Sequence, residues 1–225
     1  MCTVSLVPHR RGVRLVCNRD EQRTRSAALP PQIHRLEDAR AVWPADPASG
    51  GTWIGANDAG LAFVLLNRSV HRKRPGAPQR SRGTIIPPLL ALRNLDDVAE
   101  RARMLPPGVF EPFTLLVLFD EQLLVVSATA GAHRMRRRTV DVPLLFTSSS
   151  IGDGLVDGPR RRLFRRLVTA AASPLRGQAV FHRHFWPDRR DLSVWMRRPD
   201  AATVSRTVVN LGRGSVTMIY LPLPA

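Results

Sequence analysis
The sequence predicts an α+β fold in which antiparallel sheets carry helices on their faces. Three observations point there. Apolar runs come in close pairs separated by short turn segments, the pattern of hairpins. Residues 61–66 (Leu-Ala-Phe-Val-Leu-Leu) are apolar on both faces, so that strand is covered on both sides, by helices or a second sheet. Helical segments come in pairs, and the strand-helix-strand alternation that builds a parallel sheet is missing from the pattern.

Taken in order, residues 2–7 and 13–18 read as two strands joined by a turn over 8–12. From 21 to 49 the chain is polar, rich in Pro and Arg and weakly periodic, which predicts a long ordered loop. Residues 52–56 and 61–66 make a second hairpin around Asn57-Asp58-Ala59-Gly60. The basic stretch 71–82, with Pro and Gly, predicts an exposed loop. Helices are expected over 84–95, interrupted near its start by Pro87-Pro88, and over 96–105. A third hairpin joins 113–119 to 123–128 across Asp120-Glu121, and 133–140 and 142–147 supply edge strands. Residues 159–172 give the clearest amphipathic helix: Leu163, Phe164, Leu167 and Val168 share one face, and Arg160, Arg161, Arg162, Arg165 and Arg166 lie mainly on the other. Strand-like runs at 192–196, 203–211 and 215–221 close the chain.

The length of 225 residues suits a single domain spanning 1–225 with a substantial core, and 44% apolar residues argue against disorder over the whole chain. The formal net charge is +16, nearly all of it arginine, since Lys73 is the only lysine. These arginines are scattered, with few aromatics between them to stack bases, so no specific nucleic-acid partner is expected, and GC-rich coding accounts for such a bias; the alternative, nucleic-acid binding through the basic runs 71–75, 135–138 and 160–166, rests on charge alone. Some non-specific attraction to polyanions follows in either case. Cys2 and Cys17 do not make a disulfide framework. The first apolar run stops at Pro8-His9-Arg10-Arg11, too short for a secretory signal, and no apolar stretch is long enough to span a bilayer. The expectation is a soluble cytoplasmic protein without a transmembrane segment.

The chemistry begins at the second residue. Removal of an initiator Met is favoured before a small residue, and cysteine qualifies. The product carries a thiol and a free α-amino group on one residue, and an amine with a pKa of about 8 serves as a base near neutral pH. Nucleophile and base then lie within a single residue. Taken alone, a second-position cysteine is just a small apolar residue at a fraying end. If Cys2 starts one strand and Asn18 ends its partner, however, antiparallel pairing brings Arg19 and Asp20 near the chain start. An arginine there stabilises a thiolate, and a carboxylate orients the amine. The alternative is that Asn18 to Glu21 are turn and capping residues after a strand.

Met1-Cys2-Thr3, then Asn18-Arg19-Asp20-Glu21, then Gly50-Gly51-Thr52-Trp53-Ile54-Gly55 resemble, in order and spacing, the NRDE family, also called the Transport and Golgi organisation 2 family. An apolar strand ending at Asn67 and the segment Ser81-Arg82-Gly83 extend the resemblance, which covers the N-terminal third well and the rest loosely. That family is similar to N-terminal nucleophile (Ntn) hydrolases of the penicillin acylase and bile-salt hydrolase type. The resemblance implies a four-layer αββα sandwich of two antiparallel sheets with helices outside. It implies Cys2 as the nucleophile once Met1 is removed, with Arg19 and Asp20 beside it and Asn67 as an oxyanion donor. A late-strand arginine of the hydrolase pattern falls nearest to Arg206. The implied reaction is attack on an amide-linked acyl group, a thioester acyl-enzyme, then hydrolysis, with no cofactor and no metal. One departure stands out: family members often carry an asparagine before the late helix, where this chain has Thr147-Ser148-Ser149-Ser150, so that polar contact is replaced or absent.

The resemblance also carries a second expectation, a pocket that binds an apolar ligand such as haem or lipid without cleaving it. His182 and His184 would point the same way on a strand and bind a metal, but no carboxylate or cysteine completes a tetrahedral set nearby, and a structural or exposed role is favoured. Trp53, Trp186 and Trp195 are read as core or pocket-wall residues. The Gly50-Gly51 pair is read as permitting a tight turn rather than cradling phosphate.

Overall fold
Side-chain alternation along the first two strands sets the layers. The computed structural model describes residues 2–68, 80–106, 108–129, 132–212 and 214–223. Met1 and most of the basic 71–82 stretch, including Lys73, lie outside the described residues. Strand β1 (Cys2–His9) pairs antiparallel with β2 (Gly12–Gln22), in register from Cys2 opposite Arg19 to His9 opposite Gly12. With β10 (Leu144–Thr147), β11 (Ala201–Gly212) and β12 (Ser215–Pro222) they form a five-stranded sheet of order β10-β1-β2-β11-β12. The second sheet runs in chain order through seven strands: β3 (Leu29–Arg35), β4 (Arg40–Ala45), β5 (Ile54–Asn57), β6 (Leu61–Asn67), β7 (Phe113–Phe119), β8 (Gln122–Ala128) and β9 (His133–Thr139).

Three buried clusters separate four layers. Between the sheets lie Val4, Leu6 and Leu15 from the first, and Ile54, Val64, Leu66 and Leu116 from the second. On the far face of the second sheet, Phe63, Leu65, Leu115 and Val117 pack against α1 (Ile86–Leu89) and α2 (Leu95–Arg103). On the far face of the first, Val7 and Leu145 meet Leu163, Phe164 and Phe181 of α3 (Asp153–Phe164) and α4 (Pro174–Phe181). Each such apolar side chain contributes about 1.5–3 kcal/mol by leaving water. The doubly apolar run at 61–66 is thus covered by a sheet on one face and helices on the other, giving the αββα sandwich. Among the described residues no helix is long and apolar enough to cross a membrane.

Several elements differ from the sequence reading. The segment 21–49 is not a loop: β3 and β4 form the outer edge of the second sheet. Pro30-Pro31 hid β3, because proline offers no ladder donor; an edge strand tolerates this, and the register shifts between Leu29 and Gln32, where the prolines sit. The segment 84–95 is a 3-10 turn (Arg82–Thr84) followed by the single turn α1. The segments 133–140 and 142–147 do form edge strands, but on different sheets. Helix α3 begins at Asp153 and carries Pro159 within it, and Arg160, assigned to the polar face, is 1% exposed. The run 192–196 is not a strand; it buries Val194 and Met196 without a ladder. Helix α4 was not anticipated, and it packs so tightly that a Cβ on Gly177 would lie 1.8 Å from the Leu167 carbonyl oxygen.

Candidate active site
Because Cys2 and Arg19 are register partners, their side chains leave the sheet on the same face, the one turned toward the second sheet. Cys2 is 3% exposed and forms part of the wall of a cavity of about 230 Å³, together with Arg19, Asn67, Trp53 and the Ser81-Arg82-Gly83 segment. Asn67 reaches the cavity from the end of β6, directly after the apolar run.

Arg19 is fixed from three sides. Its Nη2 donates to Asp46 Oδ2 at 3.0 Å and to Glu21 Oε2 at 3.1 Å, and its guanidinium lies 4.0 Å from the centre of the Trp53 ring. Asp46, which also accepts from Arg25 Nε at 2.8 Å, is held below the usual carboxylate range by these arginines against the effect of burial. The glycines of the second motif have a mechanical reason. A Cβ on Gly51 would lie 2.3 Å from the Gly83 carbonyl carbon, and Thr52 N–H donates to Gly83 O at 2.9 Å. Two separate sequence signals, Gly-Gly-Thr-Trp and Ser-Arg-Gly, are therefore one contact in the cavity wall.

Asp20, one residue further along β2, faces the helical side of the sheet. It is 2% exposed, accepts from Thr203 Oγ1 at 2.6 Å, and has its pKa raised by burial, with Arg160 and the Thr203 hydrogen bond acting against that. The main chain of Cys2 is gripped by Ser148: Cys2 N–H donates to Ser148 Oγ at 3.1 Å, and Ser148 N–H donates to Cys2 O at 3.0 Å. The 147–150 stretch thus supplies a polar contact to Cys2, and the serine directly after β10 was the signal for it. Cys17, diagonal to Cys2 on the same face, is the neighbour that sequence reasoning did not use. A hydrogen bond with Cys17, aided by Arg19, draws the Cys2 thiol below its ordinary pKa against burial and Asp20; the same bond and burial push Cys17 well up.

Arg206 stands elsewhere. It pairs in register with Asn18 on β11, so it faces the helical layer, where burial and Arg183 lower its pKa. It is not among the described residues that line the cavity. His182 and His184 follow α4 rather than sharing a strand. His182 is buried against Ser5 Oγ at 2.7 Å and Asn18 Oδ1 at 3.0 Å, and burial lowers its pKa to about 3. Among the described residues no cluster of three His, Cys, Asp or Glu is placed to hold a metal ion.

A search among curated proteins found no match to this chain. Solved structures do match across its length. An N-acylethanolamine-hydrolyzing acid amidase ortholog from Caenorhabditis elegans has a TM-score of 0.63 at 15% identity, covering 99% of this chain and 100% of that one. The C2A variant of conjugated bile acid hydrolase from Clostridium perfringens has a TM-score of 0.56 at 12% identity, covering 99% and 92%. Penicillin V acylase from Agrobacterium tumefaciens has a TM-score of 0.54 at 12% identity, covering 99% and 86%. At these identities the likeness establishes the fold, that of the N-terminal nucleophile hydrolases. The family model for Transport and Golgi organisation 2 matches residues 1–150, and the chain belongs to that family.

Proposed function
We propose that the chain is an N-terminal cysteine amidohydrolase acting on a small amide-linked acyl substrate. The observation that carries this reading is the convergence of Cys2, Arg19 and Asn67 on one cavity at the start of β1. Once Met1 is removed, the Cys2 α-amine takes the thiol proton, and the thiolate attacks the amide carbonyl. Asn67 donates to the oxyanion, a contact that contributes about 3 kcal/mol of barrier lowering in comparable sites. The C–N bond breaks as the amine leaves with the proton, and water then hydrolyses the thioester. In this reading Arg19 favours the thiolate, Asp20 and Ser148 orient the amine, and Arg206 has no part.

The cavity's size and lining support a small polar substrate over an apolar ligand such as haem or lipid. At about 230 Å³ it is below the usual range for drug-sized ligands, and Arg19, Glu21, Arg25, Asp46, Arg82 and Glu111 line it. An apolar occupant would strip water from those charges without replacing it. Two free thiols accord with a reducing compartment, the cytoplasm. The test is intact-mass analysis of the purified chain before and after incubation with a panel of amide-linked acyl compounds. Loss of Met1 and an acyl adduct absent from C2A are expected; a retained Met1 sinks the mechanism.

A further inference from the structure
The five-stranded sheet has β10 at one edge and the seven-stranded sheet has β9 at one edge, and residues of both edges border a single groove. Between β9 and β10 runs a groove of about 840 Å³ whose floor includes Val125 and Phe146. Arg134, Arg136 and Arg138 are alternate residues of β9, in register with Ser127, Val125 and Leu123, so all three point to one face. Arg68 joins them from beyond the end of β6, and all four are exposed. Among the described residues these four form no ion pair. Arg137, between them in sequence, donates instead to Asp96 Oδ1 at 2.6 Å and to Leu95 O at 3.1 Å. Asp141 is the carboxylate that also lines the groove.

Like charges lined up on one strand face repel and destabilise the edge unless something neutralises them. Their spacing is twice the strand rise, about 6.5 Å, so Arg134 to Arg138 span about 13 Å. That repeat matches successive phosphates of an extended single strand, and an apolar floor with an aromatic ring suits the bases. A concave, linear row of this kind fits a polymer strand better than the plane of a membrane. We infer that this groove binds the phosphodiester backbone of single-stranded nucleic acid without sequence preference. The groove shares no lining residue with the Cys2 cavity, so the inference stands apart from the hydrolase reading.

The test is a fluorescence anisotropy titration of the full chain against a labelled oligothymidylate of about 20 nucleotides, repeated between about 50 and 200 mM salt. The triple variant R134E/R136E/R138E is expected to bind at least about 10-fold more weakly and to reduce the slope of log K against log salt by about 2. A control with the same charge change on α3 and the turn after it, R162E/R165E/R166E, should lose less than about 3-fold. Thermal unfolding midpoints of all three proteins establish that each is folded. The inference is overturned if the wild type fails to bind the oligonucleotide, or if both variants lose binding equally. It is also overturned if phosphatidylserine vesicles, and not the oligonucleotide, depend on the β9 arginines.

Discussion

On the face of β1 and β2 turned toward the second sheet stand Cys2, Val4, Leu6, Leu15 and Cys17; on the face turned toward α3 and α4 stand Thr3, Ser5, Asn18 and Asp20, and both sets are buried. The outer set is densely hydrogen-bonded. Asn18 Nδ2 donates to the His182 and Val194 carbonyls, Gln178 Nε2 donates to Ser5 Oγ at 2.9 Å, and Arg160 donates to Thr3 Oγ1 at 2.8 Å. Asn18 Oδ1 only accepts, so His182 Nδ1 carries the proton and Nε2 accepts from the Ser5 hydroxyl. Serine, histidine and asparagine thus stand in the order of a hydrolytic triad, yet sealed from solvent with their bonding groups engaged. The inner face has few polar groups, and two of them, Cys2 and Arg19, meet open space. Burial and titratability alone do not mark a site; what separates the two faces is whether a reactive atom borders a cavity.

Four substitutions or conditions break or sharpen that contrast. Cys2→Ala should abolish the acyl adduct and lower turnover by at least about 10³-fold with little change in unfolding midpoint, since it trims one small side chain at the cavity edge. Arg160→Leu, on the outer face, should instead lower stability by about 3–5 kcal/mol in denaturant titrations, because the Leu192 and Ser193 carbonyls and Thr3 Oγ1 lose their buried donor. If Arg160→Leu left stability intact, the outer face would not be scaffolding.

Acid should find the outer face next. His182 has a folded pKa of about 3 against an ordinary 6.5, so its contribution is fully present above pH 6.5. That contribution, a few kcal/mol, is lost as pH falls from 6.5 toward 3, because the unfolded chain takes up a proton that the folded chain refuses. In His182→Gln the unfolding free energy should be flatter over that window, and an unchanged slope would refute the assignment. The smallest effect is expected at Ser148. Ser148→Ala removes one hydrogen bond to the Cys2 nitrogen, with a loss of about 1 kcal/mol in stability. A fall in kcat of about 3- to 10-fold with KM unchanged should accompany it, and Ser148→Thr should restore most of the rate.

Much of the site was legible because strand pairing is a local rule. A short turn between two apolar runs specifies the register, and the register specifies that residue 19 stands opposite residue 2. The β3–β4 edge was hidden because its prolines and arginines have low strand propensity, and burial of Ala41 and Trp43 against the helices overrides that propensity. Arg160 was misplaced because helical periodicity does not distinguish a charge facing water from one that donates to buried carbonyls and a hydroxyl.

By itself the sequence determined the antiparallel character, the first hairpin and the closeness of Cys2 to Arg19, since periods of two and short turns act between near neighbours. Tertiary structure alone decided that Asp46 and Trp53 would hold Arg19, that Ser148 would grip the main chain of Cys2, and that Arg206 would turn to the helical side. Those outcomes depend on how two sheets and two helical layers stack, and contacts between layers leave no periodic trace in the chain.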